Sequence, residues 1–252
     1  MQEKLNVYCE VFEKQLLNTL SNFILRNPCD CIALSGGIDT TLIAVIAKLS
    51  EVSIRGVYTF FNGGIPRDLV YVNHISKTLS IPVTMVIIDV NYIRSVLGNV
   101  YECIGKKAYH ELCIELRNDV VFYATLRVAK EHGCKCVYVG SGGDELFAGY
   151  SFMLWLLEEE LEKYREKWGL GGRYPELEIA SCLGVDVVAP YLSKEVKELA
   201  LSIPAKCLRG ELFEGKKLLR NLISKFGLDL ISERIKTPAE AGAGTDSICL
   251  TP

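Results

Sequence analysis

Two glycine-rich segments bring together residue types that handle phosphate. The first reads Leu34-Ser35-Gly36-Gly37-Ile38-Asp39-Thr40-Thr41. Paired glycines permit a tight turn and the close approach of an anion, and a helix beginning there supplies unpaired N–H groups and a partial positive charge. Ser35, Thr40 and Thr41 add hydroxyl donors, while Asp39 is a carboxylate able to hold Mg2+ against the phosphates. An ordinary strand–turn–helix with an Asp or Thr cap would use the same residue types. The spacing fits neither a Walker A loop nor a dinucleotide Gly-x-Gly-x-x-Gly. The second segment, Val139-Gly140-Ser141-Gly142-Gly143-Asp144-Glu145-Leu146-Phe147-Ala148-Gly149-Tyr150, is another glycine-rich turn closing on two acids. Asp144 is expected to face the first loop as a second metal-linked carboxylate. Glu145 suits that chemistry or the N-terminal end of a helix dipole equally.

These loops need strands and helices to hold them, and the apolar pattern supplies both. Residues 3–26 read as an amphipathic helix with Leu5, Val11, Phe12, Leu16, Leu20 and Phe23 on one face, stopped by Pro28. Strand-like runs at 31–34, 53–60, 82–88 and 136–140 alternate with helical stretches to about 50, at 67–80 and at 114–132. Such alternation predicts βαβ units and an α/β fold: a parallel sheet with helices on both faces. Past Tyr150 the pattern turns helical, at 152–168, 193–202 and 211–226, and no further strand is expected. The chain is therefore divided into residues 1–150, an α/β part with its N-terminal helix, and residues 151–252, a helical C-terminal part.

Composition narrows the function class. The chain has 252 residues, of which 49% are hydrophobic and 23% charged, with 28 basic against 31 acidic residues and a net charge of -3. A folded core is implied, and no nucleic-acid partner, since phosphate-neutralising proteins carry a basic surplus. No membrane span is expected because no apolar run approaches about 18 residues. With no apolar leader at the N-terminus, a cytoplasmic protein is expected. The ten cysteines include Cys29/Cys31 and Cys134/Cys136, but Cys-x-x-Cys is absent and there are three histidines, so a zinc site is not predicted. The cysteines beside apolar runs are read as small buried hydrophobes rather than disulfides. The apolar face of the first helix suits a homodimer as well as packing within the fold.

The first octapeptide resembles the PP-loop, Ser-Gly-Gly-x-Asp-Ser/Thr, of ATP pyrophosphatases. The second segment resembles the Ser-Gly-Glu-Gly-Ala-Asp-Glu-Leu-Phe-Gly-Gly-Tyr of the asparagine synthetase B family, in its synthetase domain. Further similarities follow in order: Thr59-Phe60; Leu116-Arg117 with Tyr123; Gly184-Val185-Asp186 with Pro190-Tyr191-Leu192-Ser193; Lys217 with Arg220; and Arg234-Ile235-Lys236. The resemblance spans roughly residues 31–245 and implies an adenine nucleotide alpha-hydrolase-like fold using ATP and Mg2+. Carried over by position, it implies that Leu34, Phe61, Val139 and Gly140 line the adenosine. Ser35, Gly36, Gly37, Asp39, Thr40 and Thr41 would hold the pyrophosphate, with Ser141 and Gly142 in the second loop beside them. Asp39 and Asp144 would hold the metal. Lys236 would reach the α-phosphate, backed by a flexible Gly242-Ala243-Gly244-Thr245 segment, and Arg117, Glu145 and Asp186 complete the catalytic set.

Departures from the family are equally informative. Ser141 stands where the family has the glutamate that resembles a base for attacking ammonia, and Glu145 or Asp186 is the expected substitute. Leu177-Glu178 and Val188 replace charged family residues suited to holding a zwitterionic acid. No glutaminase motif precedes the PP-loop, so nitrogen is expected as ammonia, free or from a separate glutaminase. The resemblance implies a ligase that adenylates a small-molecule carboxylate, aspartate first, and passes it to ammonia. A related ligase with another acid or amine, a tRNA-modifying PP-loop enzyme, and a non-catalytic ATP-binding regulator are the alternatives.

Overall fold

The computed structural model describes residues 2–105, 112–210 and 214–248, with side chains from residue 7 and, after residue 105, from residue 115. Helix α1 (Gln2–Arg26) leads to β1 (Cys31–Ala33), α2 (Ile38–Leu49), β2 (Arg55–Phe61), α3 (Leu69–Leu79), β3 (Val83–Ile88), α4 (Val90–Ile104), α5 (Leu112–Glu131) and β4 (Val137–Tyr138). Then come α6 (Gly143–Leu146), α7 (Glu158–Gly171), α8 (Pro175–Leu183), β5 (Val187–Val188), α9 (Lys194–Ser202), α10 (Lys217–Ser224), α11 (Asp229–Ser232) and α12 (Ala239–Ala243). The sheet order is β3-β2-β1-β4-β5, and every neighbouring pair is parallel. The chain winds outward from β1 to β3, then returns to the other side of β1, so the order reverses between β1 and β4. Open parallel sheets form a crevice at that point, beyond the carboxyl ends of the strands.

Strand residues alternate between two cores, as a period of two requires. Ile32, Tyr58 and Tyr138 pack with α1, α2 and α10, through Leu16, Leu20, Leu42, Ile46 and Leu222. Cys31, Val57, Phe61 and Val137 pack on the opposite side with α4, α5 and α8, through Ile93, Val96, Val120 and Ile179. Helices thus cover both faces of a parallel sheet, the expected fold class.

Several local expectations are corrected. The buried stripe of α1 is Cys9, Glu13, Leu16, Leu20 and Ile24, while Val11 is 52% exposed and Phe12 and Phe23 are half-buried; the side chain of Leu5 lies outside the described set. Glu13 enters this stripe because Asn221 donates to it at 2.7 Å and Lys225 pairs with it. Helix α4 was unexpected; Asp89 caps it by accepting from the Tyr92 N–H at 2.7 Å. The predicted helix at 152–168 is broken into a short 3-10 turn, Ser151–Leu154, and α7, where the Glu160 carboxylate accepts from the Leu157 N–H. The predicted 211–226 helix covers Lys217–Ser224, and residues 211–213 lie outside the described ones. A strand does follow residue 140: β5 adds two residues to the sheet edge, too short a run for an apolar pattern to announce.

The cysteines are the largest correction. Cys29–Cys136 and Cys31–Cys134 are disulfides, with Cα separations of 5.0 and 5.9 Å. The register that sets Cys31 beside Val137 carries both Cys-x-Cys pairs to the same end of adjacent strands. Cys9–Cys207 ties α1 to the 205–207 turn, and Cys103–Cys182 ties α4 to α8. Replacing Cys31 and Cys134 together by Ala should cost about 2–5 kcal/mol of stability. Denaturant unfolding checks this, and the parent treated with reductant should shift in the same direction.

Candidate active site

Both glycine-rich loops lie side by side at the sheet's switch point. A cavity of about 650 Å3 opens there. Its floor is Ser35, Gly37, Asp39 and Asp144; Leu34, Val57, Val121 and Phe122 line it with apolar groups, and Lys216, Arg220, Arg234 and Lys236 with basic ones. Apolar groups, basic groups and two carboxylates in one cavity suit a nucleotide: a base against the first, phosphates against the second.

The loops interlock through glycines. A Cβ on Gly143 would sit 2.3 Å from Asp39 Oδ1, and one on Gly149 would sit 1.9 Å from Asp144 Oδ1 and 2.3 Å from Lys216 Cε. No larger residue leaves room for the acids. Between these acids stands Lys216, whose ammonium donates to Asp39 Oδ2 and lies 2.7 Å from Asp144 Oδ1. Lys236 donates to the same Asp144 oxygen. Lys216 is 5% exposed and has left-handed backbone at φ +60°, a conformation that costs a non-glycine residue about 1 kcal/mol or more. Burial opposes the charge on Asp144, but Lys216 and Lys236 overcome it and hold its carboxyl well below the usual range. At Asp39 burial wins against Lys216 and the carboxyl is raised. Burial works against the Lys216 ammonium too, yet Asp144 and Asp39 raise it; Lys236 is lowered by burial and by Lys216.

Asp39 Oδ1 is buried and has no hydrogen-bond partner. An orphaned carboxylate oxygen in a site that holds a second carboxylate fits a divalent cation that takes one or two protein oxygens and fills its shell from phosphates and water. Among the described residues no group of three or more His, Cys, Asp or Glu could hold a metal by itself.

The C-terminal arm is strapped to the first loop. Arg234 donates to the Gly36 carbonyl at 2.5 Å and pairs with Asp68 at 2.6 Å, its guanidinium 4.1 Å from the centre of the Tyr71 ring. Arg220 donates to the carbonyls of Ser232 and Arg234 at 2.6 and 2.8 Å. Gly242 to Thr245, expected to be flexible, is instead anchored: the Gly242 carbonyl accepts from the Asp68 N–H and the Tyr58 hydroxyl, and Thr245 is fully buried.

Not every sequence-predicted residue reaches the cavity. Leu34, Ser35, Gly37, Asp39, Asp144 and Lys236 line it. Gly36 lies in the turn, with its carbonyl taken by Arg234. Thr41 donates to the Gly37 carbonyl at 2.6 Å, and Thr40 bonds Ser35 Oγ at 3.1 Å, so both hydroxyls are used within the loop. Phe61 is buried in the core beside α4 and α5 rather than in the cavity wall. Val139 and Gly140 lie behind the floor, Gly140 packed on Asp39 and Thr40. Gly142 is buried against Tyr191 and Leu192. Arg117 donates to the Ile248 carbonyl and fastens the C-terminal segment. Asp186 is exposed at the opposite end of the sheet, where its carbonyl accepts from Val137. Sequence reasoning missed Lys216, Asp68 and Glu176. It had flagged Lys217, one residue on; the Gly215-Lys216-Lys217 doublet is the signal, but only the fold tells which lysine turns inward.

Glu176 matters because Ser141 donates its hydroxyl to it. A buried carboxylate from α8 therefore stands beside the position where the resemblance has an acid; burial raises its pKa. Glu145 accepts from the Tyr150 hydroxyl at 2.5 Å and is likewise raised by burial. Nearby Asp119 on α5 is 2% exposed; burial first, then Glu115, pushes its carboxyl up to about 7.

Two predictions follow from this geometry. Lys216→Met leaves two packed carboxylates without their shared cation and should cost about 3–5 kcal/mol, read as a lowered unfolding midpoint. For Asp119, the folded protein binds the proton more tightly than the unfolded chain. Its contribution is therefore fully present below about pH 4 and lost as pH rises through 7, up to about 4 kcal/mol. Asp119→Asn should lack that decline, so its melting temperature should gain on the parent's between pH 4 and 8.

The family model for asparagine synthase matches residues 30–178. A curated Methanocaldococcus jannaschii protein named "Putative asparagine synthetase [glutamine-hydrolyzing] 1" is 27% identical over 257 residues, covering 86% of this chain and 46% of its own length. The chain thus spans about half the length of that relative. Among solved structures, an NMN synthetase from Francisella tularensis is similar at a TM-score of 0.37 and 14% identity, covering 97% of this chain and 98% of that one. A glutamine-dependent NAD+ synthetase from Acinetobacter baumannii, in complex with ADP, is similar at a TM-score of 0.39 and 13% identity, covering 90% and 46%. These two are distant likenesses. The family match takes in both glycine-rich loops and more than half of the chain: the protein belongs to the asparagine synthase family.

Proposed function

We propose that the protein is an ATP-dependent amide ligase that adenylates a carboxylate and transfers the acyl group to ammonia, releasing AMP and pyrophosphate. The observation that carries this reading is the pairing of Asp39 and Asp144 with Lys216 and Lys236 on the floor of a nucleotide-sized cavity. In this reading residues 1–150 bind the nucleotide and residues 151–252 complete the active site.

The acid attacks the α-phosphorus of ATP, an acyl–phosphate bond forms and the bond to pyrophosphate breaks. Attack by the amine on the acyl carbon then expels AMP. Asp39 and Asp144 would hold Mg2+, which neutralises phosphate charge when bound. The Ser35–Asp39 loop and the start of α2 bind the pyrophosphate end through N–H groups. Lys236, its side chain about a third exposed and oriented by Asp144, offsets charge on the transferring phosphoryl group, and Lys216 keeps both carboxylates in place. The carboxylate that Ser141 lacks is supplied by Glu176, which receives the proton of the attacking amine through the serine hydroxyl. Aspartate is the acid that the family's name suggests, and ammonia comes free or from a separate glutaminase. Use of ATP argues for the cytoplasm, where disulfide-rich proteins are a feature of hyperthermophiles.

A related ligase with a different acid is the second reading. It is favoured by Glu178, which pairs with Arg173 at 2.9 Å where the resemblance has a residue for a zwitterion. Pyrophosphate release from Mg-ATP, measured over a panel of carboxylic acids with and without ammonium, tests both. Release stimulated by aspartate, with asparagine and AMP formed, is expected; release with another acid alone selects the second reading. Asp39→Asn should lower the rate by about 10²–10³-fold. Tight ATP binding without release under any condition would overturn both in favour of a regulatory ATP-binding protein.

A further inference from the structure

A second cavity of about 400 Å3 adjoins the nucleotide cavity and shares Asn118 and Phe122 with it as a common wall. Along α5, Glu115, Asn118, Asp119 and Phe122 recur at the i, i+3, i+4, i+7 spacing of one helix face, and all four line this second cavity. The facing wall is aromatic: Tyr150, Phe152, Tyr164 and Trp168. These rings form a continuous run, with Tyr150 and Phe152 centroids 5.8 Å apart, Phe152 and Tyr164 4.9 Å, and Tyr164 and Trp168 5.8 Å. Phe152 and Trp168 are 46% and 38% exposed, so the hydrophobic core does not account for their position.

Among the described residues, acids outnumber cations in the lining of this cavity: Glu115, Asp119 and Glu145 stand with Arg173. That guanidinium is already engaged by Glu178 at 2.9 Å, by Glu115 at 3.9 Å and by the Ile104 carbonyl at 3.2 Å. Asp119, at 2% exposure, makes no hydrogen bond or ion pair with any described residue. Asn118 Oδ1, in the common wall, is a buried acceptor with no partner. A buried carboxylate without a partner, Asp119, in a cavity walled by aromatic rings is the chemistry that attracts an organic cation: charge from one side, ring quadrupoles from the other. Free ammonia needs no space of this size.

We propose that this second cavity holds the cationic end, an alkylammonium or guanidinium group, of an organic substrate whose carboxylate reacts in the adjoining nucleotide cavity. The proposal rests on the second ligase reading, with an acid other than aspartate, and names that acid's class: an acid with a positively charged tail. A tail standing between Asp119 and the Tyr164–Trp168 rings would extend past Asn118 towards Lys236, which itself lies 5.0 Å from the centre of the Tyr150 ring. Burial first, then Glu115, raises the Asp119 carboxyl, and a positive charge bound beside it would favour its ionised form.

The test is calorimetric titration of the whole protein, in the presence of Mg2+ and a non-hydrolysable ATP analogue, with arginine and lysine against their neutral counterparts citrulline and norleucine, and with aspartate. Arginine or lysine should bind at least about tenfold more tightly than its neutral counterpart, and Asp119→Asn and Trp168→Leu should each erase most of that preference. Because the central comparison changes the ligand and not the protein, it stands even where a variant folds poorly. Equal binding of charged and neutral partners, or binding of aspartate alone, overturns the proposal. Pyrophosphate release is measured with the same compounds. Cation-selective binding without release from any acid supports this site while removing the ligase reading; release with aspartate and no cation selectivity does the reverse.

Discussion

Everything around the site follows from placing two carboxylates at the carboxyl ends of neighbouring parallel strands. The reversal of strand order puts the loops after β1 and β4 side by side, and each brings an aspartate to the shared crevice. Two negative charges so close, screened by little water, repel strongly unless a cation stands between them. Lys216 is that cation, reaching the gap from a left-handed turn ahead of α10. Its reach, together with Asp144, explains why Gly149 has no side chain, while Asp39 leaves no room for one at Gly143. Asp39 retains one unpartnered oxygen, so the protein's own cation does not exhaust the acceptor capacity of the site.

The arm carrying Lys236 is held by a second buried charge. Arg234 joins Asp68, the Gly36 carbonyl and the Tyr71 ring, and Arg220 gathers the carbonyls on either side of it. A guanidinium suits this role because its planar fork satisfies several acceptors at once while its face stacks on an aromatic ring. The first loop, the arm and α3 are thereby fixed to one another, and Lys236 is held near Asp144 by structure and not by attraction alone. Beyond Asn118 and Phe122, the second cavity sets Glu115, Asp119 and Glu145 beside four aromatic rings.

Loop chemistry and strand alternation were legible because they are local. Ser35-Gly36-Gly37-x-Asp39 and Gly142-Gly143-Asp144 announce turns whatever surrounds them, and the runs at β2 and β3 are long enough for their apolar pattern to register. The two-residue strand β5 and the break before α7 were not legible, since neither leaves a periodic trace. The same holds for the hydroxyls of Thr40 and Thr41, which have the right chemistry but spend it on Ser35 and Gly37 inside the loop.

By itself the sequence determined an α/β chain with two glycine-rich loops, because residue type and short-range spacing suffice for a strand–loop–helix unit; it singled out Asp39 and Asp144, and by resemblance Lys236, all of which the fold gathers at one cavity. Tertiary structure decided what depends on contacts across long stretches of chain. Parallel pairing of β1 with β4 turned four expected free thiols into two disulfides. The fold chose Lys216 over Lys217, set Glu176 beside Ser141, and carried Asp186 to the far end of the sheet. None of these has a local signature. Each follows from where a parallel sheet brings distant residues together, and from the requirement that a buried charge or hydroxyl find its partner there.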